Sequence, residues 1–125
     1  MLDTSVIAAY LNTGDSMHPK AVELMTGILA GRNGTPVLCD YVLDETLTLL
    51  QRRSGRREHA EAVLDFMDGR PAKVKFRLAE PQQIQQACKL FLEYFSKGLS
   101  FTDCVLLAVA SDLSASVASF DAGFD

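Results

Sequence analysis

Hydrophobic positions along this chain follow two rhythms: blocks with helical spacing, and short runs of consecutive apolar residues of the kind found in buried strands. Val6-Ile7-Ala8-Ala9-Tyr10-Leu11 reads as a helix capped by Thr4 or Ser5 and ended by Asn12-Thr13-Gly14. A second helix runs from Pro19 to Ala30, with Gly31 as its stop. Thr35 to Cys39 is a short buried strand, after which Asp40 caps a helix to about Leu50. The basic stretch from Gln51 to Arg57 reads as a turn, and a helix from Glu58 to Met67 follows, ended by Asp68-Gly69. Ala72 to Leu78 alternates as a strand does. Pro81 opens a long helix to about Phe95, stopped by Lys97-Gly98. Ser100 caps a helix from Thr102 to Leu113, and Ala115 to Phe120 is a last strand. Met1-Leu2 forms the end of a very short first strand.

Strands that alternate with helices imply a parallel sheet covered on both faces. The expected fold is therefore α/β, a three-layer α/β/α arrangement around a central parallel sheet of about four strands. Ligands of such folds bind beyond the carboxyl ends of the strands. Asp3 and Asp121 both stand at such ends.

Two further carboxylates break the apolar stripes. Glu45 shares a helix line with Val42 and Leu49, whereas a solvated glutamate belongs on the opposite face with Asp44. Asp103 shares a stripe with Leu106, Leu107 and Ala110. A charge in that position costs several kcal/mol unless something pairs with it. Each residue also has a plainer reading. Asp3 serves as a cap or turn residue, Glu45 is solvated on a rotated helix, and Asp121 belongs to a turn with Ala122-Gly123. Asp103 completes a capping box with Ser100. Taken together, Asp3, Glu45, Asp103 and Asp121 describe one acidic pocket. Two carboxylates ~4 Å apart repel by about 4 kcal/mol at an effective dielectric of ~20. A divalent cation relieves that repulsion, and hard oxygen ligands favour Mg²⁺ or Mn²⁺ over zinc. Such a site points to metal-assisted phosphodiester chemistry.

Composition adjusts this picture only at the margins. The 125 residues make one domain, long enough to bury about two thirds of its unfolded surface. With 12 basic and 16 acidic residues the charge is −4; without the four suspect carboxylates the signs balance, so the excess is the site itself. The chain is not globally basic, so any nucleic-acid contact has to come from local patches and the metal. Arg52, Arg53, Arg56 and Arg57 form one such patch, read either as a solvated helix end or as a guide for a phosphate backbone. Cys39, Cys88 and Cys104 read as buried free thiols of a reducing cytoplasm. No apolar run reaches the ~18 residues of a membrane helix, and the start, with Asp3 and no basic region, is not that of a signal peptide.

Four segments carry a resemblance: Leu2-Asp3-Thr4-Ser5-Val6-Ile7, Tyr41-Val42-Leu43-Asp44-Glu45-Thr46-Leu47, Leu99-Ser100-Phe101-Thr102-Asp103 and Ser119-Phe120-Asp121-Ala122-Gly123-Phe124. In order and spacing the chain resembles a PIN domain, most like the VapC-type toxins and their archaeal relatives. The resemblance implies a metal-dependent endoribonuclease, a hydrolase whose acidic quartet maps to Asp3, Glu45, Asp103 and Asp121. It implies hydroxyl support from Thr4 or Ser5 and from Ser119, with one or two Mg²⁺ or Mn²⁺ ions. Asp3, Asp103 and Asp121 would be direct or water-mediated ligands, and Glu45 a ligand or the base that orients water. The implied partners are RNA, a small antitoxin protein and a second copy of the chain in a homodimer, in the cytoplasm. Against the family pattern, the chain reads as a single PIN-like domain, 1–125, trimmed at both ends. Two other readings remain: a phosphatase or phosphotransfer domain using an Asp nucleophile with Lys97, or a degenerate PIN domain that binds RNA or protein without cleaving. The helices around Val22-Glu23-Leu24-Met25 and from Glu58 carry more apolar residues than one small sheet covers, which is the sequence argument for the dimer.

Overall fold

The structure, a computed structural model, describes residues 1–31, 34–68 and 74–120. Asp121 and the rest of its motif lie outside the described residues, as do Gly69 and the first two residues of the expected strand Ala72 to Leu78. In chain order the elements are α1 (Thr4–Leu11), α2 (His18–Leu29), β1 (Val37–Cys39), α3 (Asp40–Arg53), α4 (Arg57–Asp68), β2 (Lys75–Arg77), α5 (Pro81–Glu93) and α6 (Phe101–Leu113), with a 3-10 turn at Phe95–Lys97 before α6.

The helix stripes explain the packing. α2 buries Ala21, Met25 and Ile28, and α3 buries Val42, Thr46 and Leu50, each set spaced by three or four residues. α6 is apolar nearly all round and buries seven residues, because it lies between α3 and α5. α1 packs on both α2 and α3. The core joins Leu2, Ile7, Met25, Leu38 and Leu106, each at most 2% exposed, and full burial of such a side chain contributes roughly 1.5–3 kcal/mol.

Helix starts differ in two places from the expectation. Asp3, not Thr4 or Ser5, occupies the cap position of α1, with extended backbone angles and no capping bond from its side chain. Thr4 and Ser5 are already helical, and their hydroxyls have partners elsewhere. α3 begins at Asp40 with Cys39 as its cap, and the Asp40 carboxylate accepts instead from Ala79 N–H at 3.0 Å. At the other end, Arg52 and Arg53 belong to the last turn of α3, where positive charge suits the helix dipole. The turn proper is Ser54 to Arg56, with Gly55 at φ 62.

β1 and β2 pair in parallel, Val37 with Lys75, Leu38 with Phe76 and Cys39 with Arg77. Among the described residues this is the only sheet, and it has two of the four expected strands. The other two segments contribute one parallel bridge, Leu2 to Ala118, flanked by Ala118 N–H to Met1 O at 2.8 Å and Asp3 N–H to Ala118 O at 3.1 Å. Leu2 N–H also donates to Val37 O at 3.0 Å, which sets the bridge beside β1.

Two composition-level expectations are also corrected. Cys39 and Cys104 are buried, but Cys88 is exposed on the outer face of α5. The apolar surplus does not sit on α2 and α4. There Met25 and Val63 are fully covered, and only Val22 and Leu64 are moderately exposed. The most exposed large apolar side chains are Leu92 (74%), Phe95 (65%) and Leu78 (64%). Among the described residues no helix is long and apolar enough to cross a membrane.

Candidate active site

Three helices, α3 packed on both α1 and α6, carry the three described carboxylates of the quartet near their N-terminal ends. Asp3 caps α1, Glu45 stands in the second turn of α3, and Asp103 lies in the first turn of α6. The positive ends of the helix dipoles favour anions there.

Asp3 is 1% exposed, which an ionised carboxylate tolerates only with donors around it. Ser119 Oγ–H donates to its Oδ2 at 2.7 Å, and Ser5 Oγ–H donates to the same oxygen at 3.0 Å. The two hydroxyl oxygens also lie 3.2 Å from each other. The Ser5 oxygen in turn accepts Phe120 N–H at 3.0 Å. Residues at opposite ends of the chain are thereby held around one carboxylate.

Glu45 is half-buried, and its carboxyl is pushed above its ordinary value. Burial is the largest cause, and the charges of Asp103 and then Asp3 act in the same direction. Hydrogen bonds from the Thr4 and Thr102 hydroxyls pull it back down. Thr46 Oγ–H donates to Thr4 Oγ at 3.1 Å, so a buried hydroxyl relay runs Thr46 to Thr4 to Glu45. Asp103 is 9% exposed and completes a capping box: Ser100 N–H donates to its Oδ2 and Asp103 N–H donates to Ser100 Oγ, both at 3.1 Å.

The capping reading of Asp103 is thus realised, and the charges of Asp103 and Asp3 both bear on Glu45. The three carboxylates supply only hard oxygen atoms, and their mutual repulsion is the kind a divalent cation relieves. Among the described residues, however, no three His, Cys, Asp or Glu side chains close into a ready metal cage. The cysteines offer no alternative nucleophile near the cluster. Burial first, then the bond to Asp40, pushes Cys39 up to about 12, and burial raises Cys104 as well.

Beside the cluster lies a cleft of about 400 Å³ lined by Thr4, Ser5 and Glu45, by Leu49 and Arg53 further along α3, and by Phe120, whose N–H bonds Ser5. Of the four suspect arginines only Arg53 lines it. Arg56 and Arg57 face Glu58 and Glu61 at 3.9 and 2.7 Å, and Arg52 is exposed elsewhere on α3. Lys97, required by the phosphotransfer reading, places its ammonium over the Tyr94 ring. Sequence reasoning missed Thr46, Thr102 and Phe120. The buried stripe through Val42 and Thr46 carried a signal for the first, since a hydroxyl on such a stripe needs a partner.

The fold and this cluster define the class: the chain belongs to the PIN domain family, whose model matches residues 1–125. Within that family it is VapC-like. A VapC ribonuclease of Archaeoglobus fulgidus is 25% identical to it over 126 residues, spanning 99% of this chain and 78% of the relative. The crystal structure of Mycobacterium tuberculosis VapC20, a sarcin-ricin loop cleaving toxin, superposes with a TM-score of 0.84 at 27% identity, covering 98% of this chain and 90% of that one.

Proposed function

We propose that this protein is an endoribonuclease that hydrolyses RNA phosphodiester bonds with Mg²⁺ or Mn²⁺, and that it is the toxin of a toxin–antitoxin pair. The observation that carries the reading is geometric: Asp3, buried and held by Ser5 and Ser119, Glu45 and the capped Asp103 each stand near the N-terminal end of a helix, with α3 packed on both α1 and α6. The relatives named VapC ribonuclease and sarcin-ricin loop cleaving toxin point the same way. Asp3, Glu45, Asp103 and Asp121 would hold one or two ions. For Asp121 the support is local: the described chain ends at Phe120, hydrogen-bonded to Ser5 beside Asp3. The four-stranded reading of the sheet is supported by the bonds that set Leu2 between Val37 and Ala118.

Bound metal supplies Lewis acidity and a water of lowered pKa. The remaining work falls to the chain. Ser5 and Ser119 fix the Asp3 carboxylate, so that it presents a set geometry at no further entropic cost. Glu45 would act either as a further ligand or as the base that orients and accepts a proton from the attacking water. The Thr46–Thr4 relay and Thr102 orient Glu45. Asp103 is anchored by its capping box and cannot swing away from the cluster. Purified protein incubated with labelled single-stranded RNA tests this: cleavage should require Mg²⁺ or Mn²⁺ and stop with EDTA. Cleavage undiminished by the chelator would overturn the mechanism.

A further inference from the structure

We infer that the cleft beside the acidic cluster is a nucleotide subsite, in which Arg53 holds a phosphate flanking the scissile one and Phe120, Leu49 and Met17 receive its base. The inference rests on the ribonuclease reading and adds what that reading leaves open, the place where the neighbouring nucleotide sits.

Glu45, Leu49 and Arg53 follow one another at i, i+4 and i+8 on α3, so they form one stripe about 12 Å long. All three line the cleft, which therefore runs along α3 from the acidic end to the basic end with an apolar floor between. Its volume of about 400 Å³ is that of a small-ligand site, typically about 300–1,000 Å³. Among the described residues Arg53 forms no ion pair, unlike Arg56 and Arg57, whose charges are already matched by Glu58 and Glu61. A guanidinium suits phosphate because its planar fork matches the anion's oxygens. An aromatic ring and aliphatic walls suit a base of any identity, because every base has a π-face. The cleft's other carboxylate, Asp15, accepts Met17 N–H at 2.8 Å and offers an acceptor to a base amino group or ribose hydroxyl.

The test uses the whole chain and a fluorescent single-stranded hexaribonucleotide, with binding measured in EDTA and cleavage in Mg²⁺. Arg53→Gln should weaken binding about ten-fold and reduce the salt slope by about 0.7, the value for one phosphate contact on a single strand. Phe120→Ala should weaken binding about ten-fold with the salt slope unchanged. In cleavage both should raise KM with little change in kcat. Arg56→Ala is the control and should leave affinity within about two-fold. If Arg53→Gln and Arg56→Ala weaken binding equally, the arginines act only as diffuse charge and the subsite is wrong, while the ribonuclease reading stands. If the unaltered protein neither binds nor cleaves the RNA, the ribonuclease reading itself falls, and the subsite with it.

Discussion

Asp103 carries two roles that one substitution separates. Its carboxylate caps α6 through Ser100 N–H at 3.1 Å, and its charge is one of the causes that raise Glu45. Asp103→Asn keeps an acceptor of nearly the same shape, so the capping bond survives. The lost charge removes a favourable interaction with the helix dipole of about 0.3–1 kcal/mol. Relief of repulsion toward Glu45 offsets this. The metal-free protein should therefore change in stability by less than about 1 kcal/mol, a melting shift within about 4 °C for a chain of this size. Asp103→Ala also removes the acceptor and should cost about 1–2 kcal/mol. Cleavage, in contrast, should fall at least about a hundred-fold in both variants, because the charge itself is required. The assays are urea unfolding in EDTA, RNA cleavage in Mg²⁺, and NMR titration of the Glu45 carboxyl, which should move down toward its ordinary value in Asp103→Asn. An Asp103→Asn protein that still cleaves at the parental rate would refute the reasoning. So would a stability loss of several kcal/mol with the Glu45 titration unmoved, since Asp103 would then be a cap and nothing more.

Glu45→Gln bears on pH. Folded Glu45 holds its proton more tightly than its ordinary value of 4.5 implies, so the native state binds more protons between that value and the raised one, and stability falls as pH rises through this window. The substitution should flatten that fall and make the metal-free protein more stable at pH 7, as read by denaturant unfolding across pH; an unchanged profile would remove Glu45 from the cluster. Ser119→Ala removes the 2.7 Å bond to the buried Asp3 and should destabilise the chain by roughly 1–2 kcal/mol with a loss of cleavage, while Ser116→Ala, exposed on the same segment, should do neither. A two-fold dimer is expected in solution, with a light-scattering mass twice 13.7 kDa; Leu92 and Phe95, the most exposed apolar pair, give Leu92→Glu as the variant that should dissociate it if that face is the interface, and a monomer mass for the unaltered chain would end the dimer reading.

The sequence alone determined which residues carry charge into apolar surroundings. The helical stripes through Val42-Glu45-Leu49 and Asp103-Leu106-Ala110 depend only on 3.6-residue periodicity, a local property, and so Glu45 and Asp103 could be singled out from spacing. The capping box at Ser100 was legible for the same reason. What the tertiary structure decided is how the ends of the chain meet. The Leu2–Ala118 bridge spans nearly the whole sequence, and no local pattern states that Ser119 will donate to Asp3 or that Phe120 will reach Ser5. The same holds for the arginines: composition grouped Arg52, Arg53, Arg56 and Arg57, while the turn at Gly55 divided them, leaving Arg53 on the cleft stripe and pairing Arg56 and Arg57 with the glutamates of α4. Strand length also escaped the sequence. Apolar runs mark segments able to pair, but the register that bridges Ala118 to Leu2 is set between opposite ends of the chain. Local periodicity selects the faces; long-range hydrogen bonds, invisible to it, choose which faces meet.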